Sequence, residues 1–298
     1  MLIQKLGEFG LIERIKKNIK TDSSVVQGSG DDCAVIKFSR GKYLLLTCDM
    51  LIEGVDFVSR EKPYLIGRKA LAVSISDVAA CGGIPRYALV SLGLPPGARV
   101  EFVDKLHQGM RDLARRYRIN LVGGDFSRAA KLTLDVSMAG VVEKKNLVLR
   151  SGAKSGDIIF VSGSFGGSIR GKHLKFTPRL NEARWLVEHF KINSMIDVSD
   201  GLAQDLRHIL VASKAGALVY EELIPLSPRA RNLNDALYGG EDFELLFSMP
   251  AKEARKLICA NNKLYHPIGE ILPLSEGLRL VTKNGNEKNI KPGGFRHF

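Results

Sequence analysis

The chain has 298 residues, 45% of them hydrophobic and 7% aromatic, so it can bury a full core in one large domain or two smaller ones. No stretch approaches the roughly 20 uninterrupted apolar residues of a transmembrane helix, and the N-terminus lacks the features of a signal peptide. We therefore expect a globular, cytoplasmic protein without a membrane partner. The cysteines Cys33, Cys48, Cys81 and Cys259 form no CxxC pair, which argues against a zinc knuckle, and we expect all four to be small buried residues.

The formal net charge of +12 raises the question of nucleic-acid binding, because a basic face is the electrostatic footprint of phosphate-backbone recognition. The basic residues are spread over four segments, Arg14–Lys20, Arg111–Arg118, Arg170–Arg179 and Lys283–Arg296. The first two interleave with apolar residues at helical spacing, as on solvated helix faces. Since no nucleic-acid-binding signature accompanies them, we do not expect nucleic acid to be a partner.

The order of periodic segments predicts a mixed α/β fold. For the first half we predict a helix over 8–20, a hairpin of Cys33–Phe38 and Tyr43–Cys48, a long buried helix over Pro63–Ala80, a strand over Tyr87–Leu92, an amphipathic helix over Val100–Arg118, and strands over Ile119–Val122 and Leu132–Val142. A small-residue loop from Arg150 to Asp157 then interrupts the pattern and is the best candidate for a domain boundary.

A second α/β unit follows this loop. We predict strands over Ile158–Ser162, Met195–Val198 and near Ala217–Tyr220, helices over Pro178–Phe190, Leu202–Ser213 and Ala251–Ala260, and closing strands around an Asn284-Gly285 turn. The helix at Leu202 is expected to begin through Ser199 or Asp200 as its cap.

Seven aspartates lie in five short clusters beside these elements: Asp31 and Asp32 after Gly30, Asp49 in Thr47-Cys48-Asp49, Asp77 in Ser76-Asp77, Asp125 after Gly123-Gly124, and Asp197 and Asp200 in DVSDG. Convergent carboxylates repel one another unless a positive charge sits between them. Because His and Cys are mostly missing from the clusters, the oxygen-loving cation Mg²⁺ suits them better than a soft metal. A Mg²⁺ site made of such carboxylates usually binds a nucleotide as well.

Each cluster also has a plainer interpretation. Gly30-Asp31-Asp32 has the composition of an ordinary turn, and GGEDFE that of a tight turn with solvated acids. Asp77 lies in the apolar run Ala70–Ala80, where an ionised carboxylate needs a cation, a salt bridge or several donors, unless it caps a neighbouring loop. Asp197 and Ser199 share one side of a strand-to-helix junction, which would suit a phosphate with its Mg²⁺. No Walker sequence and no dinucleotide fingerprint occurs.

Nine segments, in order across essentially the whole chain, resemble the pattern of thiamine-monophosphate kinases: GEFGLIERI, GDDCAVI, TCDMLIEGVDF, KALAVSISDVAACGG, GGDFSR, RSGAKSGD, DVSDGLAQDL, GGEDFELLF and GGFRHF. That family belongs to the superfamily of aminoimidazole ribonucleotide synthetase. The resemblance implies a two-domain α/β (α+β) fold, with an ATP- and Mg²⁺-binding domain over 1–148 that dimerises through its sheet and a domain over 149–298 that completes the active site. It also implies ATP-dependent phosphorylation of thiamine monophosphate to thiamine diphosphate by a homodimer.

Site residues follow from the resemblance position by position. It implies that several Mg²⁺ ions are held by Asp32, Thr47, Cys48 through its backbone, Asp49, Asp77, Asp125 and Asp197, with Asp200 close to a further ion. It implies ATP contacts at Gly124, Asp125, Arg150 and Ser199, and contacts to the thiamine moiety at Asp56, Glu241 and Phe295. With no nucleophilic side chain evident, we expect direct in-line transfer between ATP and the substrate phosphate.

Two positions depart from the family pattern. Asp56 stands where many relatives have a His, and Phe126 stands where a Thr is common; a carboxylate at position 56 would favour the cationic thiazolium ring. Within the superfamily, a selenophosphate synthetase needs a reactive N-terminal Cys or selenocysteine, and the hydrogenase-maturation dehydratase needs a C-terminal Cys tail. Residues 1–32 contain no such Cys, and 260–298 contain none either. A basic nucleic-acid-binding protein is the non-enzymatic alternative.

Overall fold

The computed structural model describes residues 2–291 and 293–295. Its first half contains α1 (Ile3–Lys16), β1 (Val25–Gln27), β2 (Ala34–Lys37), β3 (Lys42–Ile52), α2 (Pro63–Ala80), β4 (Ile84–Leu94), α3 (Val100–Tyr117), β5 (Asn120–Arg128) and β6 (Thr133–Glu143). The six strands form one sheet in the order β1-β2-β3-β6-β4-β5. The pairs β2–β3, β3–β6 and β4–β6 are antiparallel, whereas β4 and β5 are parallel.

The second half contains β7 (Asp157–Ser162), α4 (Leu180–His189), β8 (Ser194–Asp197), α5 (Leu202–Ser213), β9 (Ala215–Tyr220), α6 (Leu233–Tyr238), β10 (Leu245–Pro250), α7 (Ala251–Cys259), β11 (Tyr265–Pro273), β12 (Leu278–Val281) and β13 (Glu287–Asn289). Its seven strands form a second sheet in the order β13-β12-β9-β11-β7-β10-β8. The predicted α/β class is therefore confirmed, with each sheet drawn from its own half of the chain.

Helix α2 links the two halves. It begins at Pro63 and ends before Gly82, as predicted, and most of its side chains are buried between the first sheet, α3, α4 and β8. It packs closely on α3, because a Cβ at Gly109 would lie 1.9 Å from the carbonyl oxygen of Tyr64. Among residues 2–291, no helix, α2 included, is both long and apolar enough to cross a bilayer. Helix α2 thus carries its polar side chains into the space where the two sheets meet.

Three strands of the first sheet are longer than their local sequence predicted: β3, β5, and β4, which spans Ile84–Leu94 where Tyr87–Leu92 was predicted. β3 continues past Cys48 to Ile52, because the residues from Cys48 onward keep pairing with β6. β5 continues past Val122 to Arg128, since Gly123-Gly124-Asp125 pairs with β4. The predicted ends of β3 and β5, at Cys48 and Val122, are therefore wrong. The short elements β1 and α6 were not predicted.

Three local expectations are also wrong. Helix α1 runs from Ile3 to Lys16, with a kink at Gly7, and ends before Ile19. The cap of α5 is Gly201; Asp205 in the first turn accepts the main-chain N–H groups of Asp200 at 3.0 Å and Gly201 at 3.1 Å. Among the cysteines, Cys33 and Cys81 are buried, whereas Cys48 and Cys259 are exposed.

Candidate active site

Three carboxylates from distant parts of the chain meet between the two sheets. Asp32 precedes β2, Asp77 lies in the last turn of α2, and Asp197 ends β8. One carboxylate oxygen from each lies within 4.8 Å of the others. We call this group, together with Asp49, the carboxylate cluster. The plain-turn interpretation of Gly30-Asp31-Asp32 does not explain such convergence, since three acids at this distance repel one another.

Hydroxyl groups orient the cluster. Ser74 Oγ donates to Asp49 Oδ2 at 2.7 Å, and Ser76 Oγ donates to Asp197 Oδ2 at 2.5 Å. Thr47 Oγ1 donates to Asp77 Oδ2. Thr47 and Asp49 lie between the buried Leu45 and Leu51 at every second position of β3, so strand periodicity puts all four on the face that α2 covers. The helix and the strand therefore hold the acids from opposite sides.

Burial makes the cluster reluctant to ionise. It raises the pKa of Asp77 well above its ordinary value, and the neighbouring charges of Asp49, Asp197 and Asp32 raise it further. Burial likewise raises the pKa of Asp49 to about 6 and that of Asp197 to about 8, although Ser74 and Ser76 oppose the shifts. Carboxylates held this way ionise readily only beside a cation.

Arg150 supplies a positive charge at one edge. Its guanidinium donates to Asp32 Oδ1 at 2.7 Å, and its main-chain N–H donates to Asp31 Oδ2 at 3.0 Å. Burial raises the pKa of Asp31 to about 7, and the charge of Asp32 adds to the shift. Asp32 Oδ2 is buried and accepts no hydrogen bond from any residue that the structure describes. An orphaned carboxylate oxygen in an all-oxygen donor set fits a divalent cation such as Mg²⁺.

A second group of polar side chains adjoins the cluster at the start of α5. Ligand atoms of Asp200, Asp205 and His208 lie within 4.8 Å of one another. Arg150 and Ser199 line the same cavity as this group, whose volume is about 740 Å³. Burial lowers the pKa of His208 to about 4, and Arg150 contributes to the shift.

The residues expected to contact the thiamine moiety lie near this junction. The main-chain N–H of Glu241 donates to Ser199 O at 2.7 Å, and that of Phe295 donates to Asp200 O at 3.0 Å. Asp56 Oδ2 accepts the N–H of Ile52 at 2.7 Å, which closes the turn after β3. Lys69 joins Asp56 to Glu241: its ammonium donates to Asp56 O at 2.7 Å and lies 2.5 Å from Glu241 Oε2.

Asp125 is not brought to the cluster within one chain. Its neighbour Phe126 faces the cavity beside α3, so alternation along β5 places Asp125 on the opposite, open face of the sheet. The register runs from Asp125 through Ser91 and Asp135 to Met50 on β3. Three strand spacings make the lateral separation from β3 roughly 14 Å.

Gly124 and the side chain of Cys48 also lie apart from the cluster, although the backbone of Cys48 lies between Thr47 and Asp49. A Cβ at Gly124 would lie 1.7 Å from Val90 O, so the close approach that this glycine permits is to strand β4. Gly124 lines a cavity of about 900 Å³ between α3 and the β4–β5 pair, which is not the cavity of Arg150 and Ser199. Cys48 points to the open face, where its thiol donates to Asp135 Oδ2 at 3.2 Å.

Sequence reasoning did not assign roles to Ser74, Ser76, Lys69 or Asp205. Ser74 and Ser76 had a signal, because two hydroxyls beside Asp77 interrupt an otherwise apolar helix. Lys69 had a weaker one, a cation next to Arg68 at the start of the same buried run. Asp205 had none, since an acid in the first turn of a helix is commonplace.

Known proteins are similar to this chain along its whole length. Residues 30–142 match the family model described as AIR synthase related protein, N-terminal domain. The thiamine-monophosphate kinase of Aquifex aeolicus is 33% identical over 327 aligned positions, covering 100% of both chains. That of Bacillus subtilis is 34% identical and covers 98% of this chain and 100% of its own.

A solved structure is also closely similar. The structure of AaThiL complexed with AMPPCP and TMP is 32% identical in sequence, covering 100% of this chain and 99% of that one, with a TM-score of 0.88. Identity above 30% along the whole length, in a chain that shares the fold, establishes common family membership. The chain therefore belongs to the thiamine-monophosphate kinase family.

Proposed function

We propose that this chain transfers the γ-phosphoryl group of ATP to the phosphate of thiamine monophosphate, giving thiamine diphosphate and ADP. The observation that carries the proposal is the buried carboxylate cluster beside Arg150, in a chain whose relatives are thiamine-monophosphate kinases. A relative bound to AMPPCP and TMP supports the same pair of substrates. Because this reaction brings two polyanions together, the site must neutralise much of their negative charge.

Several Mg²⁺ ions would be held by the cluster residues Asp32, Asp49, Asp77 and Asp197, with Thr47 and the backbone of Cys48 beside them and Asp200 close to a further ion. The metals would supply charge neutralisation and alignment of the phosphates. Ser74 and Ser76 then act on the acids, because each hydroxyl fixes one carboxylate oxygen and leaves the other to face a ligand. Asp56, Glu241 and Phe295 would contact the organic half of the substrate.

The transfer itself needs no nucleophilic side chain. The acceptor phosphate is largely ionised at neutral pH, because the second pKa of a phosphate monoester is about 6. The hydroxyls beside the cluster all donate to carboxylates, which suits them to orientation and not to attack. We therefore propose direct in-line displacement at the γ-phosphorus.

Incubation of the protein with Mg²⁺, ATP and thiamine monophosphate should yield thiamine diphosphate, and the reaction should stop with a chelator.

With ATP that is chiral at the γ-phosphorus, the product should show inverted configuration, as a single displacement requires. Net retention, or labelled protein trapped after ATP alone, would replace in-line transfer by a covalent intermediate. Absence of product would refute the proposed function. Full activity in EDTA would refute the metal assignment.

Replacement of Arg150 by Ala should raise the KM for ATP by about ten- to a hundredfold, since a charge-assisted contact to phosphate is lost. Because Asp32 would also lose its buried partner, the metal-free protein should become less stable, by on the order of 3 kcal/mol. Steady-state kinetics and urea denaturation measure the two effects. Arg99→Ala is the control, because the Arg99 side chain is exposed and pairs with the equally exposed Glu101. An unchanged KM for ATP in Arg150→Ala would remove Arg150 from the site.

We also propose a homodimer. Large apolar side chains are exposed on the open face of the first sheet, among them Met50 at 54%, Tyr87 at 53% and Leu89 at 48%. A contiguous apolar patch of this kind is typical of a protein interface. Asp125 lies on the same face, so we propose that it serves the metal and ATP site at the junction with a second copy.

The proposed division into domains over 1–148 and 149–298 has the support of the sheet topology. Each sheet takes its strands from one side of this boundary, and the break lies in the segment between β6 and β7. Arg150, just after the boundary, holds Asp31 and Asp32 from the first half. The ATP-binding residues would thus be placed by both domains.

A further inference from the structure

Lys69 is a buried cation that the fold alone does not require. Its side chain is 0% exposed, and its ammonium is held by Asp56 O and Glu241 Oε2. Removing an ammonium from water is costly, and an apolar residue of similar volume usually stabilises a core at least as well as a buried ion pair does. The pair is therefore better explained by a role in placing Glu241.

Glu241 is held in a strained position. Its φ angle is 70°, and that of Phe243 is 50°, values that non-glycine residues rarely adopt. The main-chain N–H groups of Glu241 and Phe243 donate to Ser199 O and Val198 O, both at 2.7 Å, which ties the segment to the end of β8. Backbone strain of this kind persists only where the surroundings impose it, and it is concentrated at functional sites.

The pair lies at a defined distance from the carboxylate cluster. Lys69 and Asp77 are eight residues apart in α2, which places them near one face of the helix and roughly 12 Å apart along its axis. A substrate whose phosphate meets the cluster would extend its organic half toward Lys69. Glu241 remains accessible there, with 24% of its side chain exposed although Oε2 is buried against the ammonium.

The charges around Lys69 favour a cationic ligand. Asp56 and Asp200 are close enough to Glu241 to add to the rise in its pKa that burial causes, whereas Lys69 opposes that rise. Glu241 thus has two other acidic side chains near it and the Lys69 ammonium in contact with it, and these four groups together are net negative when the acids are ionised. The thiazolium ring of thiamine monophosphate carries a fixed positive charge that such a region would attract.

We propose that Lys69 is a positioning residue: it fixes the carboxylate of Glu241 beside the N-terminal half of α2, away from the carboxylate cluster, and that carboxylate binds the thiazolium ring. The inference rests on the proposed function and adds to it a residue that acts through Glu241 without touching the substrate. Lys69 also donates to the carbonyl oxygen of Asp56, so one ammonium sets the spacing between the two segments that face the ring.

Removal of the Lys69 charge has two opposed effects on a cationic substrate. A repulsive charge disappears, which favours the ring. The Glu241 carboxylate, however, loses its partner at a buried position and must take up a proton or leave that position, and either change loses the contact to the ring. A buried carboxylate without a partner costs more free energy than the lost repulsion between Lys69 and the ring returns. We therefore expect the second effect to dominate.

Lys69→Met should raise the KM for thiamine monophosphate by about ten- to a hundredfold. The KM for ATP should change by less than about twofold and kcat by less than about threefold, because the loss concerns binding of the organic half. A purely structural role would lower the melting temperature and disturb both substrates alike. Lys62→Met is the matched control, since Lys62 is exposed at the start of the same helix.

A double-mutant cycle with Glu241→Gln tests whether Lys69 acts through Glu241. In the Glu241→Gln background, Lys69→Met should add no further rise in the KM for thiamine monophosphate. If Lys69→Met does not fold, Lys69→Gln, which keeps a donor for the carbonyl oxygen of Asp56, replaces it in the same cycle. An unchanged KM for thiamine monophosphate, an equal rise for ATP, or full additivity in the cycle would overturn the inference. Wild-type protein that forms no thiamine diphosphate would instead refute the proposed function.

Discussion

Replacement of Asp77 by Asn is expected to lower kcat by about a thousandfold, or about 4 kcal/mol of transition-state stabilisation. Asn has nearly the same shape, and its oxygen can still accept the hydrogen bond from Thr47. The change removes one negative charge from the centre of the carboxylate cluster, so metal binding and phosphate alignment should fail together. Single-turnover kinetics at saturating Mg²⁺ and both substrates would measure the loss.

The same variant should be no less stable than the wild type in EDTA. Asp77 is surrounded by Asp49, Asp197 and Asp32, so its neutral replacement relieves repulsion in the metal-free protein. We expect a gain of about 1–2 kcal/mol at pH 8. Asp22→Asn, at an exposed acid, serves as the control and should change neither property. Normal turnover in Asp77→Asn would contradict the metal assignment, and unfolding would point to a structural role.

The ends of an element can be predicted from the sequence where local residues mark them. Helix α2 was predicted residue for residue, because Pro63 starts it and Gly82-Gly83 stops it. The ends of β3 and β5 carry no such signal. Their last residues, Asp49–Ile52 in β3 and Gly123–Arg128 in β5, remain extended because β6 and β4 lie alongside. Strand length is thus decided by partners far away in sequence.

The candidate site was predicted in its residue types and only partly in its geometry. Asp77 stood out because a carboxylate in an apolar helix needs a partner. That Ser76 would bond Asp197, or that Arg150 would bond Asp32, depends on how the two sheets face each other. The sequence did not predict the face of the sheet on which Asp125 lies, because that face depends on β5 continuing through Gly123 and Gly124.

Without metal, the stability of the protein should fall as the pH rises from about 5 to about 8. The folded-state pKa values of Asp49, Asp31 and Asp197 are about 6, 7 and 8, whereas the same groups in the unfolded chain titrate near 3.8. Over this range the folded state therefore binds more protons than the unfolded state, and raising the pH favours unfolding. The stabilising contribution is complete below pH 3.8 and is lost as each group ionises in the folded protein.

We expect this loss to be on the order of 5 kcal/mol, less than three independent groups would give, because they interact. Urea denaturation in EDTA at several pH values between 5 and 8 would measure it. Mg²⁺ binds the ionised cluster of the folded state alone. At pH 8 it should therefore raise the free energy of unfolding, by about 2.7 kcal/mol when its concentration is a hundred times its Kd. Asp77→Asn should flatten the slope in EDTA and weaken the response to Mg²⁺. Stability that rises with pH in EDTA, or that Mg²⁺ leaves unchanged at pH 8, would show that the buried acids are neutralised by the protein itself and not by a metal.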